Sequence, residues 1–267
     1  MVAWIAGAAM AWFAAGGDVE WVAHRGESAD APENTLSAFR LAWERGVKAI
    51  ELDVHLAKDG TLIVCHDADT RRTTGERHAI KESTREQLKG LDAGSWKDPK
   101  FKGEPVPTLD EALATIPEDG RCFIEVKVGA EAIPALVKSI RQSGKKPGQL
   151  AVISFQADAV AESKKQLPEI KAYFLSSFKK DEKAPGGWTP SIDSLIAKAK
   201  ELKADGLDLA AKGPLDAAAV AKIKQSGLEI YTWTVDDPAE ARRLAEAGVD
   251  GITTNKAGWM KSGAKGE

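Results

Sequence analysis

Ala49-Ile-Glu-Leu-Asp-Val-His-Leu56 alternates apolar and polar side chains along its length. A strand turns successive side chains to opposite faces, so Ile50, Leu52 and Val54 share one face while Glu51 and Asp53 share the other. Residues 122–128, CFIEVKV, repeat the layout, with Ile124, Val126 and Val128 on one face and Glu125 and Lys127 on the other. Working outward from these two runs, further strand candidates fall at 21–24, 150–155, 170–176, 206–210, 229–235 and 251–254. Amphipathic helical patterns separate them at 34–45, 108–117, 130–143, 157–166, 191–203, 214–226 and 237–247. Strand–helix alternation of this kind implies right-handed crossovers and a parallel sheet. Eight such strands in a chain of 267 residues predict an α/β fold, a closed (β/α)8 TIM barrel.

Two helix starts carry their own punctuation. Thr108 is followed three residues later by Glu111, a capping-box spacing, and Asp236-Asp-Pro238 precedes a helix that stops at Gly248. One segment breaks the rhythm. Lys58-Asp59-Gly60 is a hairpin turn signal, and TLIVCHD after it reads as a strand coming back. Residues 59–107 therefore form an insertion after the second strand, in the connection that faces a barrel's mouth, where active sites are built.

Composition narrows the class. Hydrophobic residues make up 43% and charged residues 29%, which fits a packed globular protein and excludes a disordered chain. Thirty-seven basic and forty acidic residues are intermixed for a net charge of −3, so a nucleic-acid footprint is not expected. Cys65 and Cys122 lie in apolar runs and read as buried free thiols. Residues 1–20 form an N-terminal apolar segment, MVAWIAGAAMAWFAAGG at its start, which reads either as a signal peptide or as a short helix. It ends in small residues a signal peptidase accepts, yet no Lys or Arg precedes the apolar part. Export to the periplasm and residence in the cytoplasm both stay open. The body, taken as one domain over 21–260, has no stretch of membrane-span length, and its oligomeric state is not legible.

On a closed barrel, the polar face of these strands is the interior, which places Glu51, Asp53, Glu125 and Lys127 together inside. Clustered buried carboxylates are costly and raise one another's pKa, so something cationic must compensate. Arg25 and Lys127 are one answer, as a salt-bridge network. A divalent ion held by Glu51, Asp53 and Glu125 satisfies the geometry better, and all-oxygen ligands favour Mg²⁺ or Ca²⁺. His24 and His66 adjoin the cluster at strand ends and suit general acid/base work. His55 shares the parity of Glu51 and Asp53 but lies toward the turn and reads as a rim residue; His78 reads as solvated.

His24-Arg25-Gly26, Ala31-Pro-Glu-Asn-Thr35 and Ile50-Glu-Leu-Asp-Val54 together resemble the glycerophosphodiester phosphodiesterase family. Asp59-Gly60, His66-Asp67, Arg72-Thr-Thr74, Glu125-Val-Lys127, Thr232-Trp-Thr-Val235 and Gly248-Val-Asp-Gly-Ile252 continue the pattern, so the resemblance spans about residues 21–256. It implies a TIM barrel that hydrolyses glycerophosphodiesters to sn-glycerol 3-phosphate and an alcohol with Mg²⁺ or Ca²⁺. Carried over, His24 and His66 are the acid/base pair, Glu51, Asp53 and Glu125 the metal ligands, and Arg25 and Lys127 the phosphate contacts. Trp233 would line the pocket beside the glycerol. Thr254-Asn-Lys-Ala257 departs from the family in lacking a proline. A metal-dependent amidohydrolase would need a second histidine where Gly26 stands. The alternative on the same barrel is a phospholipase D acting on lysophospholipid or sphingomyelin-type substrates, which an apolar groove at the mouth would favour.

Overall fold

Eight strands pair in parallel and close on themselves. They are β1 (Glu20–Ala23), β2 (Ala49–Leu56), β4 (Arg121–Val126), β5 (Leu150–Ser154), β6 (Lys171–Ser176), β9 (Gly206–Ala210), β10 (Glu229–Trp233) and β11 (Gly251–Thr254). β1 pairs with both β11 and β2, which completes the ring. This computed structural model describes residues 19–263. The sequence-based choice between signal peptide and short helix falls on a segment that lies, up to residue 18, outside the described residues.

The polarity pattern explains the closure. Ile50, Leu52, Val54, Ile124 and Val126 are buried against the surrounding helices in one large apolar cluster. Val22, Ala49, Phe123, Ala151, Ile153, Tyr173, Leu175 and Tyr231 form a second cluster inside the ring. A sheet buried on both faces is the parallel-sheet solution. The outer layer comprises α1 (Leu36–Glu44), α4 (Leu109–Ala114), α5 (Ile133–Ser143), α6 (Ala157–Gln166), α7 (Ile192–Glu201), α8 (Ala217–Gln225), α9 (Pro238–Ala247) and α10 (Ala257–Ser262). Thr108 and Glu111 do close a capping box on α4, and Asp237 with Pro238 starts α9, which ends at left-handed Gly248. Strand and helix positions follow the sequence reading within a few residues. α10 carries too short a pattern to have been read.

Between β2 and β4 the chain turns back as β3 (Leu62–Val64), antiparallel to β2. It then forms the one-turn helices α2 (Arg71–Thr74) and α3 (Arg85–Leu88) around a small apolar cluster that includes Ile63, Ile80, Leu88 and Val106. A two-residue hairpin pair, β7 (Lys179–Lys180) and β8 (Trp188–Thr189), follows β6. Cys65 and Cys122 are buried free thiols, and burial pushes Cys65 up to about 12. No helix among the described residues is long and apolar enough to cross a membrane.

At the N-terminal ends of the strands, side chains seal the ring. Arg121 donates to Glu20 (2.8 Å), Tyr231 (3.0 Å) and Tyr173 (3.0 Å); Tyr231 donates to Glu20 (2.7 Å) and Tyr173 to Glu229 (2.6 Å). Gly251 makes room here, because a β-carbon at that position would collide with the Tyr231 ring.

Candidate active site

The opposite, C-terminal end of the ring is open. A cavity of about 270 Å³ is bounded on one side by His24, Arg25, Glu51, His66, Glu125 and Lys127, and on the other by Ile153, Phe155, Leu175, Asp208 and Trp233. All the candidate site residues except Asp53 line it. Asp53 lies buried just beneath, and one oxygen from each of Glu51, Asp53 and Glu125 lies within 4.8 Å of the other two.

The loop after β1 is shaped to serve the acids. Arg25 and Gly26 both adopt positive φ, +56° and +80°, and a β-carbon at Gly26 would sit 2.6 Å from the Ala38 carbonyl carbon. This turn aims the Arg25 backbone N–H at Glu51 Oε2 (2.9 Å). Left-handed Arg25 costs of order 1–3 kcal/mol, and such strain gathers where geometry matters. Asn34, also left-handed, donates to Asp53 Oδ2 at 2.7 Å and accepts from the Asp53 backbone N–H at 3.2 Å.

Cations share the cluster without satisfying it. Lys127 Nζ lies 2.8 Å from Glu125 Oε1 and 3.3 Å from Asp53 Oδ1, and Arg25 Nε lies 3.3 Å from Asp53 Oδ2. Arg25 is also claimed by Glu33 at 2.8 Å. Three acids thus face two cations, one of them divided. Glu51 Oε1 and Asp53 Oδ1 are buried with no hydrogen-bond partner. Burial, then Asp53 and Glu125, push Glu51 well above the usual carboxylate range; burial and Asp53 also raise Glu125. For Asp53 burial works the same way, but Lys127 and Arg25 outweigh it and hold the carboxyl low. Three converging carboxylates, two of them with a buried oxygen that accepts no hydrogen bond, fit a hard divalent cation better than a closed salt-bridge network.

The two imidazoles have different partners. His24 Nδ1 meets Asn255 Oδ1 at 2.7 Å, and Asn255 is fixed in that sense because its Nδ2 donates to Asp236 Oδ2 at 2.6 Å. An amide oxygen only accepts, so Nδ1 carries the hydrogen and Nε2 the lone pair. Burial, then the Arg25 charge, lowers the His24 pKa. His66 Nδ1 instead meets a carboxylate, Asp67 Oδ1, at 2.7 Å. Burial pushes Asp67 up, but Arg72 and His66 more than reverse this and bring it to about 2. Arg72 reaches on to Glu33 (2.8 Å), which returns to Arg25, so one chain of ion pairs links the two histidine sides.

His55 is not at the rim. It is buried, and its Nε2 meets the His66 carbonyl oxygen at 3.1 Å, because β3 pairs Ile63 opposite His55 and covers it. His78 is half-buried, 3.6 Å from Glu76. Trp233 stands edge-on to Phe155, ring centres 5.6 Å apart, and its indole N–H donates to the Asp208 carbonyl. The sequence reading passed over Asp208, although an acid between Leu207 and Leu209 follows the same alternation that singled out Glu51. Asn255, Asp67 and Arg72 were visible only as pieces of a motif, with nothing local to say what they support.

The sequence pattern defining the glycerophosphoryl diester phosphodiesterase family matches residues 24–258. The chain belongs to that family. It is 35% identical over 239 residues to the glycerophosphodiester phosphodiesterase of Caldanaerobacter subterraneus subsp. tengcongensis, covering 88% of this chain and 93% of the relative. A Bacillus subtilis glycerophosphodiester phosphodiesterase is 31% identical over 251 residues, covering 88% and 82%. The solved structure of an Oleispira antarctica phosphodiesterase in complex with the product sn-glycerol 3-phosphate superposes with a TM-score of 0.81 at 30% identity, over 91% of this chain and 95% of that one. This member of the family is a TIM barrel whose candidate site opens at the C-terminal ends of its strands.

Proposed function

We propose that this enzyme hydrolyses glycerophosphodiesters to sn-glycerol 3-phosphate and an alcohol, with His24 as general base and His66 as general acid. The difference between their partners carries the reading. His24, against a neutral amide and beside Arg25, is held as a neutral imidazole whose Nε2 can take a proton from the nucleophile. His66, whose Nδ1 is held at 2.7 Å by the Asp67 carboxylate, presents its other ring nitrogen to the cavity and gives a proton to the departing alkoxide. One P–O ester bond breaks as the new P–O bond forms, and the two histidines end with exchanged protonation states that solvent resets. Arg25 and Lys127 attract the phosphate oxygens as charge gathers on them. Glu51, Asp53 and Glu125 would hold a divalent cation, Mg²⁺ or Ca²⁺, which would supply further neutralisation of the phosphate.

Trp233, Phe155, Leu175 and Ile153 offer an apolar wall to the organic part of a small diester. That wall is confined to one side of the cavity, and the relatives named above give the phospholipase D alternative no support. The deciding experiment is a coupled glycerol 3-phosphate assay over glycerophosphocholine and glycerophosphoethanolamine, beside a choline-release assay on lysophosphatidylcholine as the lysophospholipid, each with and without a chelator. The proposal expects glycerol 3-phosphate from the first two and loss of activity on chelation. Cleavage of the lysophospholipid alone, or full turnover in chelator, would overturn it.

A further inference from the structure

Asp208 has no place in the chemistry above, yet it is among the most deeply buried acids in the molecule, 3% exposed. It stands on β9 between Leu207 and Leu209, which face the helices, so its side chain points into the ring and lines the cavity. Oδ1 has no hydrogen-bond partner, and no Lys or Arg among the described residues pairs with it. It does not join the three acids that each bring one oxygen within 4.8 Å of the other two. Its strand neighbours at that level are Leu175 and Tyr231, and the Trp233 indole is tethered to its own carbonyl. A lone carboxyl set in an apolar wall, opposite the cationic side of a small cavity, is an expensive arrangement unless a ligand completes it.

We infer that Asp208 is the specificity-determining residue of this pocket: its carboxyl bonds a hydroxyl of the glycerol moiety while the phosphate sits across the cavity against Arg25 and Lys127. The inference rests on the proposed glycerophosphodiesterase reading and adds to it the residue that tells glycerol from a plain alkyl chain. The carbon skeleton lies along Trp233 and Leu175, where carbon is welcome, and the hydroxyl supplies the one polar contact that wall lacks. A carboxyl oxygen accepts a hydroxyl hydrogen in either protonation state, and the protonated form can also donate. A pocket built around such a bond discriminates strongly against a ligand that cannot make it, because the buried group is then left unpaired.

The test compares binding of sn-glycerol 3-phosphate and n-propyl phosphate, which share a carbon count and a phosphate but not the hydroxyls, by calorimetry with a divalent cation present. Wild type should prefer glycerol 3-phosphate by about 10–100-fold, the range for a hydrogen bond to a buried carboxyl. Asp208→Leu should bring the two affinities together without weakening propyl phosphate, and its melting temperature should not fall, since an unpartnered carboxyl has been removed. Asp208→Asn should retain most of the preference. A wild-type preference that persists in Asp208→Leu would overturn the role of Asp208 while leaving the enzyme's function standing. Equal wild-type affinities would also overturn it, and release of glycerol 3-phosphate from glycerophosphocholine by the same preparation shows whether the functional reading falls as well. The wild-type comparison needs no variant, so the inference stays exposed even if Asp208→Leu does not fold.

Discussion

At the lower end of the barrel Arg121, Glu20, Tyr173, Tyr231 and Glu229 answer one another's hydrogen bonds; at the upper end Glu51, Asp53 and Asp208 each keep a buried oxygen with none. The lower network has its own loose atom, Arg121 Nε, but that guanidinium lies 4.4 Å over the Phe123 ring and is not otherwise idle. Both ends sit on the same strands, and both are built from acids, cations and rings. The difference is completion. A satisfied buried network holds a structure in one arrangement, whereas an unsatisfied one raises the energy of the empty protein and is relieved by what binds. That difference in hydrogen-bond completion assigns stability to one end of the barrel and chemistry to the other.

The contrast breaks most visibly at the histidines. His24→Ala and His66→Ala should each lower kcat by roughly 10²–10⁴-fold, the range for a general acid or base, with melting temperatures close to wild type. Steady-state kinetics beside thermal melts checks this, and a melting temperature that drops with the activity would mean that the upper end is structural too. Arg121→Met is the converse. It removes three hydrogen bonds and the cation beside Glu20, while Tyr231 still donates to Glu20 and Tyr173 to Glu229, so denaturant melts should show a loss of about 1–3 kcal/mol while kcat hardly moves. A large kcat effect there would show that the two ends are coupled.

Smaller effects sharpen the assignment of roles within the upper end. A general base must be neutral, so activity is present above the His24 pKa and lost as pH falls through it. Burial and Arg25 lower that pKa, so the acid limb of kcat/KM should have its midpoint below 6.5. The paired exchange Asn255→Asp with Asp236→Asn keeps a donor and an acceptor at their 2.6 Å contact, puts a carboxylate against Nδ1, favours the imidazolium and should move the midpoint up. An acid limb that ignores this exchange would detach His24 from the base role. Least of all, Tyr231→Phe removes one hydroxyl from the lower network and should cost about 0.5–1.5 kcal/mol with unchanged kinetics.

How much of this was legible in the sequence follows the same division. Alternation is a local property, and Ile50, Leu52 and Val54 declare their face whatever lies far away in the chain, so the ring and its three inward acids could be read directly. Partners across the ring are not local. Asn255 reaches His24 across 231 positions, and Tyr231 reaches Glu20 across 211, so no window of sequence shows either contact. His55 was misjudged for a related reason: its parity was right, but its burial depends on how closely β3 folds back over it. Asp208 was missed although its signal was present, because a single acid in GLDLA looks ordinary until the Glu51 rule is applied to every strand.

The central claim is that Glu51, Asp53 and Glu125 form a cation site and are not merely partners of Arg25 and Lys127. Titrating Mg²⁺ and Ca²⁺ into chelator-treated protein by calorimetry tests it most directly, with Glu125→Gln measured alongside. The account predicts that wild type binds a divalent cation and that Glu125→Gln weakens the binding by at least the ~10–100-fold associated with losing an outer-shell partner. Absence of cation binding to wild type, or an affinity that Glu125→Gln leaves where it was, would contradict it.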